Sequence, residues 1–293
     1  MDSALILRLA MEKGESLSET EIDGLLNQSL LVVKLTRDNS SERLANIFKL
    51  VGLSEISGSQ RLRGTQQIVK FINQEVATSE GFAYTGDLGG IVPCYNAMLL
   101  ESYVRLGMAQ SPEVVRGLNW IKKYQLFERN QTSSWQGKGI CLHGGCLKAT
   151  PCYIGVGKTL RALLTYQEYT ANRDGEVANL IAKGLNYMLD HQLFLRRSTN
   201  QPISPHITDM MFPQSYCLSL MDLVYIVGKS NSQKEPRAQA LMTLLAKKDL
   251  GNRQWKIDYI YRYKGYLAFD NRRGPSPWVS ELSNIWLGVG ASK

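Results

Sequence analysis

The sequence predicts an all-α fold built from stacked helical hairpins. Three observations carry that expectation. Strand signals are nearly absent across 293 residues, whereas apolar residues recur at helical spacing along most of the chain. The tripeptide Pro-Cys-Tyr occurs at Pro93 and again at Pro151, and each copy opens an amphipathic run, a polar break and a second run ending Gln-Leu-Phe, at Gln125 and Gln192. Pro213 and Pro277 precede further apolar runs at a similar interval, roughly 60 residues, which is the signature of a two-helix repeat.

Taken in order, residues 1–56 read as helices over Ala4 to Glu12, Glu19 to Leu35 and Ser41 to Leu53. Ser18 and Ser40 stand where a hydroxyl can cap free amides. Arg61 to Val76 continues with Ile68, Val69, Phe71 and Ile72 on one stripe. The glycine-rich stretch Gly81 to Gly90 suits neither regular structure, and Pro93 then fits the first turn of the next helix. Repeats follow, with partner helices at Glu113 to Tyr124, Glu176 to His191 and Glu235 to Lys247. The alternation of Ile257, Tyr259, Tyr261 and Tyr263 predicts a short hairpin beside the helices rather than a nucleic-acid surface.

No hairpin of this kind can bury its apolar face alone, so the repeats must stack in an open solenoid or a ring. The length allows about five or six hairpins. With long loops always on the same side, that number favours a closed α/α toroid forming one domain, with N-terminal helices over 1–56 and recognisable hairpin repeats over 57–293. The proline-started helices would then form an inner layer. Their first turns would bring Tyr95, Tyr153, Tyr216 and Trp278, with Tyr84 nearby, around a central cavity suited to an apolar or cationic ligand. Glu101, Lys158, Arg161 and Asp222 fall in the same inner segments, and buried charges there require partners.

Composition narrows the class. A hydrophobic fraction of 44% is enough for a substantial core. The balance of 34 Lys and Arg against 26 Asp and Glu gives +8, but the basic doublets Arg196-Arg197, Lys247-Lys248 and Arg272-Arg273 are scattered and read as solvated surface. No apolar run approaches a membrane span and the N-terminal run has no leader pattern, so a cytoplasmic protein is expected. Five cysteines do not form a secreted disulfide framework.

Three of the five cluster with a histidine. Cys141, His143, Cys146 and Cys152 supply the thiolate and imidazole ligands that Zn2+ prefers, within one glycine-containing loop. A zinc site, a cysteine pairing and buried thiols are all compatible with that spacing. Lys158 and Arg161, one turn into the following helix, could receive a phosphate or carboxylate, or pair with neighbours. Asp87, flanked by glycines, could act as a general acid on its loop, or simply form a turn. His191 at a helix end reads as structural, and His206 stands in a proline-containing loop on the side of the cysteine loop.

The strings TGDLGGIVPCYNAMLLESYVRLG, CLHGGCLKATPC with GVGKTLRALL, QPISPHITDMMFPQSYCLSLMDLVYIVG and GPSPWVSELSNIWL resemble a bacterial group within the terpenoid cyclase and protein prenyltransferase α/α toroid superfamily. The likeness runs from about Gly81 to the C-terminus, and the N-terminal third is similar only in being helical. The resemblance implies the toroid and an apolar, isoprenoid-like or lipid-like ligand. Most members of that group are named by fold alone, so it implies no particular reaction. The chain departs from the superfamily's chemistry in lacking the D-x-D-D and D-D-x-x-D strings, and Thr150 stands where similar proteins carry a histidine. A non-catalytic toroid scaffold for a protein or peptide partner is therefore the alternative.

A zinc clip on the cysteine loop predicts about one equivalent of metal in protein purified without a metal-affinity tag, lost in the double variant Cys146→Ser, Cys152→Ser. Elemental mass spectrometry with a thiol count checks this. Zero metal with all cysteines titratable removes the site.

Overall fold

The structure, a computed structural model, describes residues 2–37, 40–137, 150–171 and 174–288. Among these the regular structure is helical, and backbone pairing outside helices is confined to isolated bridges such as Ala83 with Ile91. The α-helices are α1 (Ser3–Lys13), α2 (Glu19–Gln28), α3 (Leu30–Thr36), α4 (Arg43–Ser54), α5 (Arg63–Glu75), α6 (Pro93–Arg105), α7 (Pro112–Tyr124), α8 (Tyr153–Thr170), α9 (Gly175–Asp190), α10 (Leu220–Lys229), α11 (Gln239–Lys248) and α12 (Pro277–Trp286). None is long and apolar enough to cross a membrane.

Local chemistry explains most boundaries. Ser18 and Glu21 form a reciprocal capping box at α2, and Ser219 and Asp222 form another at α10. Proline occupies the first turn of α6, α7 and α12, where its missing amide proton costs nothing. The single helix expected over Glu19 to Leu35 is instead two. Ser29 breaks it: its backbone is extended, its hydroxyl accepts from the Val32 amide at 3.1 Å, and it donates to Asp2 Oδ1 at 2.5 Å. Asp2 also accepts from the Ala4 and Leu31 amides, so one carboxylate ties the start of α1 to the start of α3.

Pro213 does not open a helix as expected. The capping box at Ser219 sets the start of α10 further on, and Tyr216 lies in the irregular stretch ahead of it. The expected hairpin near Tyr259 is likewise absent, because its backbone pairs elsewhere: Asp258 N donates to Met210 O at 2.9 Å, and Phe269 N to Phe212 O at 3.2 Å. Tyr261 and Tyr263 then pack on Phe48 of α4, with ring centroids at 5.3 and 5.5 Å.

Burial separates two kinds of helix. Every residue of α6 is buried, and α8 is buried from Val156 to Tyr166, whereas α5, α7 and α9 each bury one face. Helix α6 packs against α4 and, most extensively, α8; α8 continues to α10, α10 to α12, and α12 to α1. The one-faced helices lie outside this succession, α5 on α4, α7 on α6 and α9 on α8. Close approach is built in with glycine: a Cβ at Gly155 of α8 would stand 2.9 Å from Pro93 Cβ, which brings the first turns of α6 and α8 together. One cluster of buried apolar side chains runs from Ala4 to Trp286.

Candidate functional site

The inner helices converge on charge rather than on grease. Arg161 of α8 and Lys158 one turn earlier are each 1% exposed. Arg161 uses all three guanidinium nitrogens: Nε donates to both Glu101 oxygens at 3.0 Å, Nη1 to Asp222 at 3.0 Å and Nη2 to Glu55 at 2.9 Å. Its guanidinium also lies 4.5 Å from the ring centroid of Tyr225. Lys158 Nζ donates to Asp222 at 2.9 Å and to Gln214 at 3.4 Å, and Gln214 passes a hydrogen bond on to Glu101 at 3.1 Å. Thus α4's C-terminal edge, α6, α8 and α10 meet at a single guanidinium.

The network extends to both sides. Arg105 donates to Glu101 at 2.9 Å and lies over Tyr225 and Tyr169. Arg8 of α1 pairs with the Glu55 carboxylate and donates to the Glu55 carbonyl at 3.2 Å and to Glu12 at 2.9 Å. Four cations, Arg8, Arg105, Lys158 and Arg161, therefore face four carboxylates, Glu12, Glu55, Glu101 and Asp222. This cancellation is what makes so much buried charge tolerable.

Burial works to raise Glu101, but Arg161 and Arg105 overcome it and hold the carboxyl below its ordinary range. Asp222 is held down by Lys158 and Arg161 against the same opposing burial. Glu12, with Arg8 and Lys229 beside it, falls to about 2 despite its burial. Burial lowers Lys158 first, and the neighbouring Arg161 adds to that, with Asp222 opposing both.

The five expected cavity aromatics separate into three groups. Tyr84, Tyr95 and Tyr216 stack in series, with centroids 5.2 and 5.7 Å apart. Phe48 meets the edge of that stack, and burial pushes the Tyr95 phenol well up. Tyr153 turns away, donating to Leu193 O at 2.8 Å with its ring 5.4 Å from His191. Trp278 packs between Phe212 and Phe269.

Of the four proposed zinc ligands, Cys141, His143 and Cys146 lie outside the described residues, and Cys152 is the residue ahead of α8. Among the described residues, no group of three Cys, His, Asp or Glu side chains is arranged for a metal. Burial pushes the Cys94 thiol up to about 12. Asp87 is exposed ahead of a short 3-10 turn and shares no hydrogen bond with Lys158 or Arg161. His206 pairs with Asp209 at 2.9 Å, and its ring stacks on Tyr259 at 3.8 Å.

Sequence reasoning missed a second feature, at the C-terminal end of α9. His191 is buried there, its Nδ1 donating to Leu195 O at 3.0 Å, and Tyr187 lies 5.0 Å away. Gln192 and Leu193 both take left-handed backbone, φ +45° and +70°. A buried leucine in that region carries strain, about 1–3 kcal/mol, held by its packing and by the Tyr153 hydroxyl on its carbonyl. The bent segment presents Arg196 and Arg197 to a cleft shared with Arg129. The Arg196-Arg197 doublet was the signal available, but Arg129, distant in sequence, gave none.

No protein-family model matches the chain, and no curated protein matches it.

Two outcomes test the network. Glu101→Ala should cost about 3–5 kcal/mol in denaturant unfolding, because Arg161 and Arg105 lose a buried counter-charge together, whereas Asp87→Ala on the surface should change stability by less than about 0.5 kcal/mol. Acid should also unfold the protein. Glu12, Glu55, Glu101 and Asp222 all sit below their ordinary values, so the unfolded chain takes up protons first as pH falls. Stability present above about pH 4.5 is then lost progressively toward pH 2, which thermal melts across that range will read.

Proposed function

We propose that the chain is a non-catalytic α/α toroid scaffold, of the terpenoid cyclase and protein prenyltransferase kind, that holds a protein or peptide partner. The succession α4, α6, α8, α10, α12, α1 supports a ring, since Arg8 of α1 returns to Glu55 at the end of α4. One observation carries the functional half of the reading. Arg8, Glu55, Glu101, Arg105, Lys158, Arg161 and Asp222 are spent on one another, and at the centre Lys158 and Arg161 stand fully enclosed. A cyclase-like or transferase-like use of that centre needs open space and an uncommitted acid or base.

The apolar-ligand reading keeps one specific support, the Tyr84, Tyr95 and Tyr216 stack on the ring's proposed mouth. A ligand there would rest on aromatic faces, and zinc on the cysteine loop would serve as a structural clip or polarise the substrate.

Thermal shift with squalene, geranylgeraniol and oleate separates the two. The scaffold reading expects no change in Tm with any of them, together with saturable 1:1 binding of peptides selected from a random library, measured by titration calorimetry. A rise on the order of 5 °C at a hundredfold excess over Kd, abolished by Tyr95→Ala, would overturn the scaffold in favour of an apolar ligand.

A further inference from the structure

Two adjoining clefts of about 470 and 380 Å3 open where α9 ends, and they share Arg129, Tyr187, His191 and Arg197. Their charges do not cancel as those of the interior do. In the larger cleft the carboxylates are already answered: Asp190 pairs with Arg237 at 2.8 Å and Glu128 with Lys183 at 3.9 Å. The smaller cleft is lined, among the described residues, by three arginines, Arg129, Arg196 and Arg197, and by no carboxylate. Among the described residues neither Arg129 nor Arg197 has an ion pair, while Arg196 is aimed by hydrogen bonds to the carbonyls of Ile203 at 2.8 Å and Pro202 at 3.4 Å. The fields of Arg129 and Arg197 both reach His191, which burial already keeps below its ordinary value.

Like charges gathered without counter-charge set up a positive local field that favours an anion. A guanidinium presents a planar fork that matches phosphate and carboxylate oxygens. The forks of Arg129 and Arg197, with the donors Arg196 has left, offer more than one carboxylate can use, and their summed charge suits a dianion. The cleft also exceeds the size of a bare ion. Its floor of Tyr153, Tyr187 and His191 rings, 5.0 to 6.1 Å apart, provides an apolar seat for an organic remainder. The left-handed backbone at Gln192 and Leu193 holds this floor and the Arg196-Arg197 pair in one fixed turn.

We propose that this cleft binds a phosphate monoester, with Arg129, Arg196 and Arg197 around the phosphate and the organic group on the Tyr187 and His191 rings. The inference rests on the scaffold reading only in where the phosphate comes from: a phosphorylated side chain of a peptide partner, or a free phosphoester.

The test is titration calorimetry on the full chain with phenyl phosphate, benzoate, a phosphotyrosine peptide and its unphosphorylated form. The expected result is 1:1 binding of phenyl phosphate and of the phosphopeptide, much weaker benzoate, and a loss of more than about tenfold in the double variant Arg129→Glu, Arg197→Glu. Both side chains are exposed, so the variant's melting curve should match that of the wild type. Arg129→Lys, which keeps the charge and loses the fork, should fall between. Absence of saturable phenyl phosphate binding, equal affinity for benzoate, or binding untouched by the double variant would each overturn the proposal. If phenyl phosphate binds while these two peptides and the library peptides do not, the proposal stands and the peptide scaffold falls. If library peptides bind and no phosphate does, the scaffold stands and this proposal falls.

Discussion

Arg161 is the point on which the helical arrangement depends. Its guanidinium takes carboxylates from the end of α4, from α6 and from α10, while its own backbone belongs to α8. No shift of one of these helices along another preserves all three pairings, because a planar fork tolerates little rotation of its partners. Apolar packing alone would be more forgiving, since buried methyl groups can re-pack with modest loss. The balanced interior thus supplies register, and the surrounding apolar cluster supplies most of the driving force.

That choice constrains what the centre can do. A guanidinium that bridges three carboxylates cannot release one of them to meet a ligand without leaving a bare buried charge, so the cations that look most reactive in the sequence are the least available. Lys158 illustrates this. Burial and Arg161 lower it, as they would a lysine prepared for acid-base work, yet Asp222 and Gln214 take two of its three hydrogens and the side chain is enclosed.

The helices were legible because their signals are local. Proline in a first turn, serine caps and apolar spacing fix α6, α7, α9 and α12 to within a few residues. Failures occurred where a distant partner overrode the local pattern: Asp2 drawing Ser29 out of a helix, and the stretch at Met210 to Phe212 capturing the backbone near Tyr259. Glu101, Lys158, Arg161 and Asp222 stood out as charges on inner segments, and the structure pairs them. Glu55 did not, because it follows the last turn of α4 and reads as an ordinary exposed helix end. Arg8 lies within an apolar run, where no neighbour in sequence announces the Glu55 it meets. The arginine cleft was invisible for the same reason: Arg129 and Arg197 come together only through the fold.

The two arginine groups obey different physics. Those of the interior are enclosed, so their pairings are little screened and persist with rising ionic strength. Arg129, Arg196 and Arg197 are exposed, and water and counter-ions relieve most of their mutual repulsion, which is why the fold can carry them without an ion pair among the described residues. Attraction for an anion at that cleft must for the same reason decline as salt is added, and must do so without altering the fold. The charges that set stability therefore lie at the centre and the uncancelled charges at the cleft, in residues that share no partner among the described ones. Substitutions at sites this far apart in their partners should act additively, so the surface charge of the cleft can change while the ion network that sets the register of the helices stays fixed.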